Sequence, residues 1–137
     1  MNQELKNLLF KDLCARLPYG VKISVQSWDE EEQEYVDKVD VLYSINRDEY
    51  IKSTNEDYDF SIEDIKPYLF PLSSMTEEEK NKLGDELIEL QLKAISDEID
   101  SSTSSAYEID YYNSHHIDYR DLIKKGLAID CTNLNIY

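Results

Sequence analysis

Residues 21–45 read VKISVQSWDEEEQEYVDKVDVLYSI, and this stretch decides the fold class. Val21, Ile23 and Val25 alternate with polar residues, which is the period of two expected for a strand with one apolar face. A second run alternates in the same way through Val39, Val41, Tyr43 and Ile45. The WDEEEQE segment between the runs is too charged to pack. The stretch therefore predicts two antiparallel strands joined by an exposed connector.

The residues before this stretch predict a helix over 4–16. Its apolar stripe repeats at three- and four-residue spacing and consists of Leu5, Leu8, Leu9, Leu13 and Leu17. Asp12 is expected on the solvent side with the other charged residues, and Cys14 as a buried core thiol. Pro18 and Gly20 end the helix.

The residues after this stretch carry weaker signals. Residues 46–60 are acidic and polar, which predicts a loop with room for a third short strand at Tyr50–Ile51. Ser61 is expected to cap a short helix that Pro71 ends. The apolar stripe of that helix would consist of Ile62, Ile65 and Leu69.

A long helix is predicted over residues 77–99. Thr76 and Glu79 have the spacing of a capping box. One apolar stripe contains Leu83, Leu87, Leu90 and Ala94, and a second contains Ile88, Leu92, Ile95 and Ile99. Such a wide apolar face predicts a helix that packs across the core, on a sheet and on a neighbouring helix.

The C-terminal quarter is expected to form short helices and one strand. Ser105 and Glu108 offer another capping box. Asp118 is expected to begin a helix that runs to Lys125, and Gly126 suits the left-handed residue after its end. Residues 127–131 are expected to add a strand. The whole chain, 1–137, is thus predicted to be a single acidic α+β domain, with an antiparallel sheet of two to four strands packed by an N-terminal helix, one long helix and short C-terminal helices.

The net charge restricts the class of partner. Thirty acidic residues against fourteen basic ones give −16. The chain has no Lys/Arg stripe for direct contact with phosphate backbones and no basic patch for a membrane surface. An acidic domain is attracted to basic surfaces, so the expected partner is a protein with a basic surface, including one that normally binds nucleic acid.

Other features of the sequence concern location and cofactors. No apolar run approaches the length of a membrane span and the N-terminus lacks a signal-peptide core, so a cytoplasmic location is expected. Cys14 and Cys131 form no metal-binding pattern and are expected to be reduced thiols. Three glycines in the chain exclude GxGxxG and Walker A loops, and the acidic run lacks EF-hand spacing. No cofactor is expected.

The only two histidines lie side by side in SHHIDYR, residues 114–120. One hypothesis is a metal-binding or hydrolytic corner built from His115, His116 and Asp118. Further ligands for it would come from Glu108, Asp110 or Asp121. However, adjacent residues on a helix point about 100° apart, whereas zinc motifs place histidines at i and i+4. The favoured interpretation is architectural: one histidine packs or caps a helix end and the other is solvated.

The tentative binding residues lie where the first predicted strand ends. They are Trp28, Asp29, Glu30, Glu31, Glu32 and Glu34. Trp28 either covers an edge of the core or forms an exposed anchor, because tryptophan and tyrosine are enriched at binding hot spots. The acids form either a solvated connector or a recognition surface.

Three stretches together resemble a family of small uncharacterised proteins from phages, prophages and mobile elements of gut anaerobic bacteria. They are KDLCARLPYGVKISV at 11–25, IKPYLFPLSSMTEEEK at 65–80 and SHHIDYRDLIKKGLAID at 114–130. The resemblance implies a biological context, and it carries no catalytic residue to this chain.

Three functional hypotheses follow. The first is a non-enzymatic, protein-binding accessory protein of a phage or mobile element; its sharpest form is a nucleic-acid mimic or anti-defence inhibitor, whose carboxylates would form a continuous stripe in place of phosphates. The second is a small metal-binding protein or hydrolase that uses His115, His116 and Asp118. The third is a structural or assembly component.

Overall fold

The computed structural model describes all residues from Met1 to Tyr137. It is a single-domain α+β structure, which confirms the predicted class. The helices are α1 (Gln3–Arg16), α2 (Glu77–Ile95) and α3 (Thr103–Ser114). The strands are β1 (Lys22–Asp29), β2 (Glu34–Ile45), β3 (Tyr50–Ser53), β4 (Phe60–Ser61), β5 (Lys66–Pro71), β6 (Ile117–Asp118) and β7 (Ile129–Asp130).

The strands form one mixed sheet in the order β4-β3-β2-β1-β5-β6, with β7 also paired to β5. Seven strands exceed the predicted two to four. Three of them, β4, β6 and β7, contain only two residues each, which is too short for an alternating pattern to show in sequence. The strand predicted within residues 127–131 is present as β7.

β1 and β2 form the antiparallel pair that the sequence predicts. Their register runs from Lys22 opposite Val41 to Asp29 opposite Glu34. The turn is closed by the Asp29 side chain, whose Oδ1 accepts hydrogen bonds from the backbone N–H groups of Glu31 (2.9 Å) and Glu32 (3.2 Å). The acidic connector is therefore a short, ordered turn.

The core face of β2 differs from the prediction. Val39 and Tyr43, which were expected to share the apolar face, are 46% and 68% exposed. The buried residues are Asp40 and Leu42, one position out of phase. Burial of Asp40 is sustained by hydrogen bonds that its carboxylate accepts from the backbone N–H (2.9 Å) and the side-chain amide (2.9 Å) of Asn55.

The prediction of a helix after Ser61 is wrong. Residues Ile62–Asp64 form one 3₁₀ turn, and after Ile65 the chain enters β5. Lys66 precedes Pro67, and a residue before proline is disfavoured in the helical region. Ile62, Ile65 and Leu69 are still buried in the main core, because their spacing suits a turn followed by a strand as well as it suits a helix.

α1 packs against the inner face of the sheet, with Leu9 and Leu13 fully buried, as predicted. The expectation that Asp12 faces solvent is wrong, since Asp12 and Arg16 are both fully buried and paired at 2.7 Å. Cys14 was expected in the core and is exposed. The helix thus uses one buried ion pair where the sequence predicts only leucines.

α2 begins with the predicted capping box. The Thr76 hydroxyl accepts from the Glu79 N–H (3.1 Å), and the Glu79 carboxylate accepts from the Thr76 N–H (3.4 Å). The helix ends at Ile95, short of the predicted residue 99. Its inward stripe packs on α3 through Leu83, in a small second cluster apart from the main core.

The second apolar stripe of α2 does not pack across the core, which corrects the prediction. Ile88, Leu92 and Ile95 are 57%, 61% and 80% exposed. At about 100° per residue, these three positions lie on roughly the opposite side of the helix from the stripe that faces α3. None of the three helices combines the length and the apolar character that a membrane crossing requires.

Candidate functional site

The residues predicted for binding lie together at the tip of the β1–β2 hairpin. Trp28 is near the end of β1, Glu30–Glu32 form the turn, and Glu34 begins β2. The Asp29 carboxylate is less available to a partner, because one of its oxygens accepts hydrogen bonds from the backbone of the turn. The four glutamates are exposed, and none of their carboxylates makes an ion pair.

Trp28 is exposed and does not cover the core. Its side chain lies on the outer face of the sheet, directly opposite Tyr35 in the register. The two rings meet edge to face with centroids 5.2 Å apart, while 45% of Trp28 and 64% of Tyr35 remain exposed. Mutual support of this kind presents two rings to solvent in a defined orientation. Tyr35 is not among the residues predicted from the sequence, although the four-residue turn places it opposite Trp28.

The aromatic surface continues across the outer face of the sheet. Its exposed members, which we call the outer-face stripe, are Trp28, Tyr35, Val39, Tyr43 and Tyr50. Their neighbours along the strands, such as Leu42 and Ile51, point to the buried face. The main core, including the leucines of α1, lies on that other side. The outer face therefore carries large apolar side chains that no other part of the chain covers.

His115 lies at the C-terminal end of α3. Its ring stacks on that of Tyr111 with centroids 4.0 Å apart, and its Nδ1 lies 2.8 Å from the Tyr111 carbonyl oxygen. The side chain is exposed. His115 thus closes the end of its own helix, as the architectural interpretation predicts for one of the two histidines.

His116 has a different environment. Its backbone is left-handed, with φ of 60°, and its ring stacks on that of Tyr137 at 3.8 Å. Burial, with smaller contributions from the charges of Arg16 and nearby cations, lowers the pKa of His116 to about 4. The ring is therefore neutral at pH 7. His116 thus packs and His115 is exposed at the end of its helix, as the architectural interpretation predicts for the pair.

Asp118 holds the segment that follows β6. Its two carboxylate oxygens accept hydrogen bonds from the N–H groups of Leu122 (2.9 Å) and Ile123 (2.9 Å). The predicted helix from Asp118 to Lys125 is instead a series of turns, because Asp121 has a left-handed φ of 62°. Gly126, with φ of 76°, has the predicted conformation.

The three side chains proposed for a metal or hydrolytic corner are each committed to a separate contact. Asp118 binds backbone N–H groups, His116 stacks on Tyr137, and His115 stacks on Tyr111. Of the further ligands considered, Glu108 accepts a hydrogen bond from the Tyr112 hydroxyl at 2.8 Å. No group of three or more His, Cys, Asp or Glu side chains is placed to hold a metal ion. The convergence that this hypothesis requires is absent.

Arg16, the partner of Asp12, also contacts the SHHIDYR segment at residues 114–120. Arg16 Nη2 donates to the Ile117 carbonyl at 2.7 Å, and the guanidinium groups of Arg16 and Arg120 lie 5.3 Å and 5.1 Å from the centroid of the Tyr119 ring. These contacts join α1 to β6. The SHHIDYR segment therefore links the N-terminal helix to the C-terminal segment.

A surface groove lies elsewhere, between α2 and α3, with a volume of about 420 Å³. Apolar residues dominate its lining, among them Met75, Leu83 and Leu87. Its titratable lining residues are Lys80, Tyr112 and Glu108, and the latter two are bonded to each other. Burial, together with that hydrogen bond, raises the pKa of Tyr112 to about 12, which makes it a poor acid or base near neutrality.

No protein-family model, curated protein sequence or solved structure matches this chain. The resemblance to proteins of phages and mobile elements therefore stays a prediction.

Proposed function

We propose that this chain is a non-enzymatic protein-binding domain, an accessory protein of a phage or mobile element, and that the β1–β2 hairpin and the outer-face stripe form its binding surface. The observation that carries the proposal is the exposed Trp28–Tyr35 pair beside an acidic turn. Exposed tryptophan and tyrosine supply large contact area at low entropic cost, and they recur at hot spots.

Charge indicates the kind of partner. Residues 29–38 hold six carboxylates and one ammonium group, a local net charge of −5. A partner with a basic surface would be attracted to this turn and held by the rings beside it. Arginine side chains suit both features, because a guanidinium group pairs with carboxylates and also stacks on aromatic faces.

The nucleic-acid mimic or anti-defence inhibitor is the sharper form of this proposal. It requires the carboxylates to form a continuous stripe that substitutes for phosphates. The exposed acids lie on several elements, including the hairpin turn, the 56–59 loop and the first turn of α2. The local acidity of the hairpin therefore supports a partner with a basic surface, and it does not distinguish a nucleic-acid-binding partner from any other basic protein.

The test is capture of partners from a lysate of gut anaerobic bacteria, at low and high salt, read by mass spectrometry. W28A/Y35A removes both rings, and E30Q/E31Q/E32Q removes charge from the turn without changing its size. I88A/L92A on α2 is the matched control, since it removes exposed apolar side chains elsewhere.

We expect one partner that wild type and I88A/L92A retain, that W28A/Y35A loses, and that E30Q/E31Q/E32Q or high salt weakens. Urea denaturation of each variant establishes that its fold is intact. The proposal fails if W28A/Y35A and wild type retain the same proteins in the same amounts.

A second candidate function is a structural or assembly component. The exposed α2 residues Ile88, Leu92 and Ile95 favour it, because contiguous apolar side chains on a helix are suited to packing against another helix. Light scattering between about 10 and 500 µM tests this candidate. A mass that rises with concentration in wild type and not in I88A/L92A would support assembly, and a strict monomer would count against it.

A further inference from the structure

One edge of the hairpin is open. β1 pairs with β2 along residues 34–41, whereas β3 pairs only with Leu42, Ser44 and Ile45 at the far end of β2. Between Glu34 and Val39 the second edge of β2 has no strand beside it. A strand edge of this kind presents a row of unpaired N–H and C=O groups.

The ladder determines which groups point outward. Leu42 N–H donates to the Val21 carbonyl at 3.0 Å, so even-numbered residues of β2 bond to β1. Tyr35, Asp37 and Val39 therefore direct their backbone N–H and C=O groups to the open edge. They are spaced by ~6.8 Å, two residues of a strand. None of these six groups has a hydrogen-bond partner within the chain.

The open length has a defined end. At Val41 the carbonyl accepts from the N–H of Thr54 (3.0 Å), and the Val41 N–H donates to the Asp40 carboxylate (2.8 Å). Asp40 also binds Asn55, which turns the chain away from β2. The next residue of the same parity, Val39, is the first open position.

The edge of the hairpin formed by β1 is partly hydrogen-bonded, unlike the edge formed by β2. Gln26 lies opposite Asp37, in a pair whose backbone groups point outward. The Gln26 carbonyl accepts a hydrogen bond from the Tyr58 hydroxyl at 2.8 Å. The 54–59 loop thus satisfies part of the β1 edge and leaves the β2 edge free.

We propose that an extended, lysine- and arginine-rich segment of a protein partner adds as a strand beside Tyr35–Val39. This inference rests on the proposed function and specifies how that surface binds. Main-chain hydrogen bonds to the open edge supply the affinity, as in other strand-addition complexes. Basic side chains of the segment face Asp37 and the acidic turn, and those on the outer face contact the ring of Tyr35.

Charge favours this occupant over a second copy of the chain. Edge-to-edge pairing of two β2 strands would bring Asp37, Glu34 and both acidic turns of one copy close to those of the other. Like charges directly opposite in a sheet are destabilising. A basic segment makes the same backbone bonds and neutralises the same carboxylates.

The probe is a nine-residue capped peptide in which Lys or Arg alternates with Val or Thr. A matched peptide carries N-methyl groups on the alternate amides that would donate to β2. The readouts are dissociation constants by calorimetry and amide exchange by NMR. We expect the plain peptide to slow exchange at Tyr35, Asp37 and Val39 at least tenfold, and N-methylation to weaken binding at least tenfold.

Variants of the protein give an independent arm. V39P removes one outward N–H that makes no bond in the free chain, as edge strands tolerate, and V39T is the matched control that keeps it. We expect V39P to lose binding at least tenfold and V39T to retain it. If V39P does not fold, the methylated peptide and the exchange pattern decide the question.

Each other outcome overturns the inference. If the peptide binds with Trp28 and Tyr35 required, but the three amides still exchange freely and N-methylation has no effect, strand addition is wrong and the proposed function stands. Absence of binding at millimolar peptide also overturns it. So does a dimer in sedimentation analysis that V39P abolishes, because the occupant is then a second copy. Failure of the proposed function is seen separately, as lysate capture that W28A/Y35A does not change.

Discussion

The carboxylate of Asp12 and the guanidinium of Arg16, one helical turn apart on α1, form an ion pair that is closed to solvent. The Nε–Oδ2 distance is 2.7 Å and both side chains are fully buried. Arg16 also donates to the backbone of Ile117, so this pair links the first helix to a strand that is about a hundred residues later in the chain.

Loss of Arg16 should therefore destabilise the whole domain. R16L removes the closest partner of the buried Asp12 carboxylate and leaves it only the longer contact to Arg120 Nε at 3.3 Å, so we expect the free energy of unfolding to fall by about 3 kcal/mol. Urea denaturation measures this change. K11A, an exposed position on the same helix, is the control and should change stability by less than about 0.5 kcal/mol. In the double variant D12L/R16M no fully buried charge is left, and Arg120, which also pairs with Asp12, is partly exposed, so the loss should be smaller than that of R16L.

A pH-dependent loss of stability should arise from His116. Its pKa is lowered by burial from 6.5 to about 4 in the folded chain. Between these values the unfolded chain binds a proton that the folded chain excludes, so stability is complete above pH 6.5 and falls as the pH drops towards 4, by roughly 2–3 kcal/mol. Urea denaturation at several pH values follows this loss.

H116F should show a shallower decline over this window, whereas H115F, altered at the exposed end of α3, should keep the wild-type slope. Equal slopes for H116F and wild type would contradict the assignment.

Removal of the Asp118 carboxylate should loosen the C-terminal segment. D118A leaves the N–H groups of Leu122 and Ile123 without acceptors in a buried setting, which we expect to cost about 2–4 kcal/mol. D121N is the control: asparagine tolerates a left-handed backbone, and the Asp121 side chain is exposed. Amide exchange would show whether the loss is confined to this segment. A D118A variant as stable as D121N would refute the capping role.

Local signals in the sequence predict the local parts of the fold. The Thr76–Glu79 capping box involves residues three apart, and both of its hydrogen bonds are present. The alternation in residues 21–45 likewise predicts the hairpin, because register follows once the turn is short. The acidic turn and Trp28 could be identified as a binding candidate for the same reason.

Features that depend on distant partners could not be predicted. The buried Asp40 carboxylate depends on Asn55, a residue outside β2, for two of its hydrogen bonds, and the core face of β2 is one residue out of phase with the predicted face. Asp12 has the sequence position of a solvent-facing charge, and its burial depends on Arg16, which also binds the distant backbone of Ile117. The open edge of β2 depends on where β3 stops pairing, which no pattern within β2 reveals.

The two cysteines should differ sharply in reactivity. Cys14 is exposed on α1, and burial raises the pKa of Cys131 to about 11. At pH 8 the thiolate fraction of Cys131 is then on the order of one in a thousand, and the side chain is also inaccessible. We expect one thiol per native chain to react with a disulfide reagent within minutes, and a second only after denaturation in guanidinium chloride.

C14S should show no fast thiol, and its denatured form should show one. Two fast thiols in the native protein would mean that the β5–β7 region around Cys131 opens readily, because the Cys131 backbone N–H is bonded to the carbonyl of Leu69 at 3.0 Å in the closed structure.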